Sequence, residues 1–263
     1  MSFASATAVS HVMGNVYQSA VKEGWDIFGA ANGGYLMAMA ARAMAETAER
    51  PNPVTITAHY LSPASPGPVT IDTDLIKQGR RFATVQARLN DPERPLVALQ
   101  GTFGALEPSS TLKRFEAGPP DLPPPGECVS AEPTDTFPPP IVGKVDVRIH
   151  PDDVPFISDA PKEPRMRGWF RLRDDEPIDT FALLLAVDGF PPAIFNANHP
   201  PAWTPTVELT THIRAVPVKD GWLACTFTTR FITGGFLEED GEVWDATGRL
   251  IAQSRQLALL PRT

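Results

Sequence analysis

The chain has 263 residues, 42% of them hydrophobic and 21% charged, the balance of a globular protein with enough apolar material for one large or two small cores. A formal charge of −8 and a pI near 5.1 exclude a general attraction to nucleic acid or anionic membrane, so an anionic ligand needs a local basic cluster. Two cysteines, Cys128 and Cys225, exclude a disulfide framework, and neither stands at metal-ligand spacing from another Cys or His.

The opening segment, MSFASATAVSHVMGN, lacks the basic stretch and long apolar run of a signal peptide. The longest apolar run, Phe181 to Val187, is far shorter than the ~20 residues that span a bilayer. The expected location is therefore cytoplasmic, with no membrane partner.

The first predicted element is a helix that opens at Asn32-Gly33-Gly34 and runs through Tyr35 to Ala45, apolar on nearly every side and hence buried. Pro51 and Pro53 stop it. Four strands follow, at 54–61, 68–77, 82–90 and 95–104, joined by turns at Lys77-Gln-Gly-Arg80 and Asn90-Asp91. Between Glu107 and Pro164 the density of proline predicts an extended connector, because each proline removes a backbone donor. Its one alternating piece is Lys144 to Ile149. A second helix is predicted from Asp174-Asp175-Glu176-Pro177 through Val187, with acidic residues at its start and Gly189 at its end. Strands then follow at 206–214, 222–231, 235–245 and 249–259.

The two helix-then-strands units are copies. Val54 to Leu61 resembles Val207 to Arg214, with His59 against His212. Farther on, Pro63, Gly67 and Phe82 match Pro217, Gly221 and Phe236 at a constant separation, and Leu96-Val97-Ala98 matches Leu250-Ile251-Ala252. Each copy is a helix followed by an antiparallel meander. The fold class is α+β: two tandem repeats merging into one long curved sheet around two central helices. The division is an N-terminal unit at 1–106, a proline-rich connector at 107–143 and a C-terminal unit at 144–263.

Gly33-Gly34, His59-Tyr-Leu-Ser-Pro63, Val187-Asp-Gly-Phe-Pro-Pro192, Thr206-Val-Glu208 and Ile251-Ala-Gln-Ser-Arg-Gln256, in that order on a duplicated frame, resemble the double-hotdog acyl-CoA thioesterase II family. The resemblance covers about 20–104 and 144–260. It implies hydrolysis of fatty acyl-CoA to free acid and CoA by a water held by an Asp, a Thr and a Gln. The matching positions are Asp188, Thr206 and Gln256. Glu208 stands where the family pattern has Asp. The resemblance implies no cofactor apart from the CoA of the substrate. It leaves the outer sheet edges free for a homo-oligomer of double-hotdog chains.

The residues support those roles independently. Asp188 ends an apolar helix, where the C-terminal dipole and burial both raise the pKa of a carboxylate and make it a better base; the alternative is a turn cap before Gly189. Thr206 both donates and accepts, or is simply a β-former at a strand start. Gln256 shares a strand face with small and apolar residues, so its amide needs a partner. In the first copy Thr102 stands for Gln256 and Pro53 near Thr206, predicting one active site per chain. Backbone N–H groups at Gly33 and Gly34 are candidate oxyanion donors, or glycines required by close packing. Lys77, Arg80 and Arg81 are the candidate site for the CoA phosphates. Phe190 to Phe195 lines an acyl tunnel or packs in the core. Gly-x-Ser-x-Gly and P-loop signatures are absent from the sequence. Two other readings stay open: a hydratase or dehydratase using His199 or His212, and a non-catalytic acyl-CoA-binding protein.

Overall fold

The computed structural model describes residues 1–106, 114–130, 139–154, 162–173, 176–197, 204–218 and 221–260. A short helix α1 (Phe3–Ala6) leads into strands β1 (Ser10–Met13) and β2 (Val16–Val21) and a small hairpin, β3 (Asp26–Ile27) with β4 (Ala30–Ala31). The long helix α2 (Gly33–Ala48) precedes β5 (Asn52–Tyr60), β6 (Gly67–Gln78), β7 (Phe82–Asn90) and β8 (Pro95–Gly104). The second half contributes β9 (Val129–Ser130), β10 (Val145–Ile149), β11 (Arg165–Leu172), helix α3 (Ala182–Ala186), β12 (Thr206–Ile213), β13 (Leu223–Thr228), β14 (Ile232–Thr233), β15 (Phe236–Trp244) and β16 (Leu250–Leu259).

All the long strands form one antiparallel sheet in the order β1-β2-β6-β7-β8-β5-β12-β16-β15-β13-β11-β10-β9. The order reads as a palindrome about the β5–β12 pair, where Thr57 lies opposite Thr210 and Ile56 opposite Thr211. This is the double-hotdog arrangement expected from the duplicated pattern. Helix α2 forms because Ala, Leu and Met dominate its span and Asn32 caps it, accepting a hydrogen bond from the Tyr35 N–H at 2.9 Å. It ends at Glu49, which adopts the left-handed conformation at φ 51°. Both α2 and α3 are buried against the inner face of the sheet and against each other. Among the described residues no helix is long and apolar enough to cross a membrane.

The cross-strand registers define the repeat more sharply than sequence similarity does. Ile56 and Leu209 occupy equivalent places, as do Val85 and Glu239, and Gly101 and Gln256. The separation therefore steps from 153 (209 − 56) to 154 (239 − 85) to 155 (256 − 101). This corrects the expectation for the last strand of each copy: the counterpart of Gln256 is Gly101, and Thr102 instead pairs its hydroxyl with Thr84 at 3.1 Å. A Cβ on Gly101 would lie 3.0 Å from both Ile56 and Phe103, so the first copy fills that place with core.

The second helix is shorter than expected. Asp174 and Asp175 lie outside the described residues, and Glu176 to Asp179 are not helical. The Asp179 carboxylate accepts from the Ala182 N–H at 2.7 Å, and the regular turns that begin there span only Ala182–Ala186. Glu176 caps a different helix: it accepts from the Phe3 and Ala4 N–H groups at the start of α1. Strand β11 is not among the predicted elements, although its burial alternates residue by residue. Within the proline-rich stretch, β9 pairs with β10, and the Trp169 indole donates to the Pro123 carbonyl at 2.8 Å.

Candidate active site

Asp188 follows α3 by two residues, and its own N–H closes the last turn onto the Leu185 carbonyl at 3.0 Å. Its carboxylate faces the start of α2, not its own turn. One oxygen accepts from the Gly34 N–H at 2.8 Å and from the Asn32 side-chain amide at 2.9 Å; that amide also reaches the Asp188 carbonyl at 2.8 Å. Two effects of opposite sign meet at this carboxyl. Burial raises its pKa, and the N–H groups of Gly34, Asn32 and Gly33 lower it; burial wins, and the group is pushed up to about 6. A carboxyl of that strength is a base at neutral pH and still binds a proton readily.

The Gly34 N–H is thereby committed to Asp188, which corrects the expectation that it is a free oxyanion donor. Both glycines are required by close approach. A Cβ on Gly34 would stand 2.3 Å from the Leu184 carbonyl oxygen, and one on Gly33 2.8 Å from the Tyr60 ring.

Thr206 and Gln256 meet directly: the Gln256 amide donates to the Thr206 hydroxyl at 2.9 Å. A β-bulge between Thr206 and Glu208 makes this possible. Without it, Thr206 would fall on the same face as Glu208; with it, Thr206 lies opposite Ala258 on the inner face, beside Gln256. The first copy carries the same bulge between Pro53 and Thr55. Glu208 points to the outer face, where its carboxylate accepts from the Thr210 hydroxyl at 2.5 Å, so its replacement of an expected Asp lies outside the inner cluster.

One member of the cluster is not among the residues that the sequence singles out. Glu239 lies directly opposite Gln256 on β15, on the inner face, and accepts from the Ala193 N–H at 2.6 Å. Burial, then the charges of Asp188 and Glu238, push it up to about 7 against the relief of that N–H. The repeat holds the signal: its counterpart is Val85, a fully buried core residue, and a carboxylate in place of a core valine has no structural rationale. Through this pair the Asp188 side and the Thr206–Gln256 side are electrostatically linked. A small apolar cluster of Ile194, Leu237 and Ala258, with Phe195 and Leu260 packed on it, adjoins them.

Asp188 and Glu239 hold protons to higher pH when folded than when unfolded. The native state therefore binds more protons between pH ~4 and ~7, and stability falls as pH rises through that window. The thermal midpoint is expected to drop by about 5 °C between pH 5 and pH 8, and Glu239→Gln to flatten the upper part of that fall. A midpoint that rises across the window in the wild type contradicts the placement of both carboxyls.

Other expected site residues sit elsewhere. Lys77, Arg80 and Arg81 are exposed on the β6–β7 hairpin, which abuts the C-terminal end of α2: Gln78 donates to the Ala48 carbonyl and Arg50 to the Gly79 carbonyl. Sixteen helical residues, about 24 Å, separate that end from Asp188, so the basic hairpin is not brought to the carboxylate. Phe190 packs on Phe227 with ring centroids 5.1 Å apart, a core contact. His212 is on the outer face and exposed; His199 lies outside the described residues. Two surface concavities, one on the outer sheet face from Thr57 to Arg88 and one between Ser5 and Pro92, include none of Asp188, Thr206 or Gln256.

Comparison with known proteins bears on the family and the fold. A family model described as the acyl-CoA thioesterase N-terminal domain matches residues 21–104, and one described as the acyl-CoA thioesterase C-terminal domain matches residues 119–260. An uncharacterised protein of Mycobacterium tuberculosis is 30% identical over 277 residues, covering 94% of this chain and 91% of that protein. A solved structure from Thermobifida fusca described as a "putative thioesterase II" superposes with a TM-score of 0.87 at 34% identity, covering 99% of this chain and 97% of that one. A protein of unknown function with a hot dog fold from Alicyclobacillus acidocaldarius gives 0.88 at 23% identity, over 99% and 98% of the two chains, and bears on the fold alone.

Proposed function

Because the chain belongs to the acyl-CoA thioesterase family, and is thus of a kind that hydrolyses thioesters, we propose that it cleaves fatty acyl-CoA to free acid and CoA with a water held by Asp188, Thr206 and Gln256. The observation that carries this reading is the Gln256–Thr206 hydrogen bond on the inner face, across from Glu239, which feels the charge of a carboxyl at position 188 itself raised to about 6. In this mechanism Asp188 accepts a proton from the water as its oxygen bonds to the thioester carbonyl carbon. The C–S bond then breaks, and the proton passes from Asp188 to the departing sulfur. Thr206 accepts from Gln256, which leaves its own O–H free to donate and fixes the orientation of the amide oxygen. The two groups hold the water in line for attack. Neither would suffice as a base.

The test is to incubate the purified protein with a panel of acyl-CoAs of increasing chain length and follow free thiol colorimetrically. Thiol release that disappears in Asp188→Asn supports hydrolysis. Loss of enoyl absorbance without thiol, or tight binding with neither signal, overturns it. Thr206→Val and Gln256→Leu are each expected to lower kcat about 10–100-fold, because each leaves one partner of a part-buried hydrogen bond unmade. The double variant should lose little more than the worse single one, since the two act as a unit. Fully additive losses would separate them.

A further inference from the structure

Tyr60 ends β5 on the inner face, and its hydroxyl is buried with no hydrogen-bond partner among the described residues. The ring lies against the first turn of α2, so close that a Cβ on Gly33 would stand 2.9 Å from the hydroxyl oxygen. That turn is the one whose amides hold Asp188. A phenylalanine would pack the same space without an unmet polar atom, so the hydroxyl is a donor awaiting an acceptor. Its protonation state is fixed. Burial, reinforced by the negative charges of Asp188 and Glu208, holds the phenol well above its ordinary range, so it keeps its proton at every physiological pH.

A neutral, buried donor beside a base that activates a nucleophile is suited to meet negative charge as it develops on the electrophile. We propose that the Tyr60 hydroxyl donates a hydrogen bond to the thioester carbonyl oxygen as that oxygen becomes an oxyanion. The inference rests on the hydrolytic reading above. As the water oxygen bonds to the carbonyl carbon, the C=O π pair moves onto oxygen and is held by the Tyr60 O–H. The water proton goes to Asp188. On collapse the pair returns, the C–S bond breaks, and the sulfur takes the proton from Asp188, leaving Tyr60 unchanged. The hydroxyl thereby fills the role that the Gly34 amide, occupied by Asp188, does not.

Tyr60→Phe decides it. With the full-length protein and an acyl-CoA that the wild type hydrolyses, kcat should fall about 10²–10³-fold with KM within a factor of two. The thermal midpoint should stay level or rise, and the acid limb of the pH–rate profile should remain where Asp188 puts it. A kcat within threefold of the wild type overturns the assignment. So does a loss accompanied by a lower midpoint or a displaced acid limb, which would make Tyr60 a support for the fold or for Asp188. A wild-type protein inactive on every acyl-CoA sinks the hydrolytic reading and this one with it. An active wild type with an equally active Phe variant sinks only the role of Tyr60.

Discussion

Replacing Asp188 by Asn is expected to lower kcat about 10²–10⁴-fold while leaving the fold intact. The asparagine side-chain oxygen can take the place of the carboxylate oxygen that accepts from Gly34 and Asn32. The helix junction should therefore keep its geometry and lose only its base. In the wild type, kcat/KM should fall tenfold per pH unit below about 6, because burial sets the pKa of Asp188 there and only the ionised form accepts a proton. The same shift has a stability consequence of opposite sense. The carboxyl is raised from its ordinary 3.8, so ionising it costs the folded state, and that cost is in full force above pH ~6. The Asn variant should thus be more stable than the wild type at pH 7.5, on the order of 1 kcal/mol, and no more stable at pH 4. Unfolding curves at the two pH values check this. An inactive variant that is also destabilised at pH 7.5 would make Asp188 a structural residue.

Gly34→Ala should be strongly damaging although it adds a single methyl. Alanine ordinarily stabilises a helix by roughly 0.5–1 kcal/mol over glycine. Here its Cβ would stand 2.3 Å from the Leu184 carbonyl oxygen and 3.0 Å from the Asp188 Cβ. The obstacle is backbone, which cannot rotate aside, so the α2–α3 junction must open. A net loss of about 3 kcal/mol is expected in urea unfolding, with hydrolysis falling at least as far as in Asp188→Asn. Gly33→Ala meets the Tyr60 ring instead, a side chain that can shift, and should cost less stability. If the two alanine variants are equally stable, the close helix contact is not what fixes glycine at position 34.

The frame is legible in the sequence because the hydrophobic periods are strict. The spans of β7 and β8 agree with the strands predicted at 82–90 and 95–104, and the remaining predicted strands agree to within a few residues at their ends. Three features are not legible, each for a physical reason. The length of α3 depends on where a carboxylate finds an N–H. Asp179 and Glu176 are both acidic residues upstream of an apolar run, yet only Asp179 turns onto its own helix. The attachment of Asp188 to α2 is a contact between residues 154 positions apart (188 − 34), which no local pattern encodes. The placement of Glu239 across from Gln256 is a cross-strand register, and the unmet hydroxyl of Tyr60 is a matter of burial, so neither is written in a local pattern. Sequence similarity alone suggests a nearly constant separation between the copies, while the real frame gains one residue at each of two steps. At a constant separation of 154, Val85 still answers to Glu239, but Gln256 falls against Thr102 and not against Gly101.

The seam between β5 and β12 gives the first copy a part in the site although it holds none of the Asp188–Thr206–Gln256 set. In the register of that seam Leu209 lies opposite Ala58, Thr210 opposite Thr57 and Glu208 opposite His59, and the bulge that turns Thr206 inward begins immediately beyond. A slip of a single position along that ladder would exchange the two faces of β12 and rotate the hydroxyl away from its glutamine. The N-terminal copy thus works as a gauge block, setting the phase of the strand that carries Thr206. Apart from Tyr60 and the Asn32–Gly34 turn that holds Asp188, selection can relax the polar groups on it provided the ladder itself stays in step.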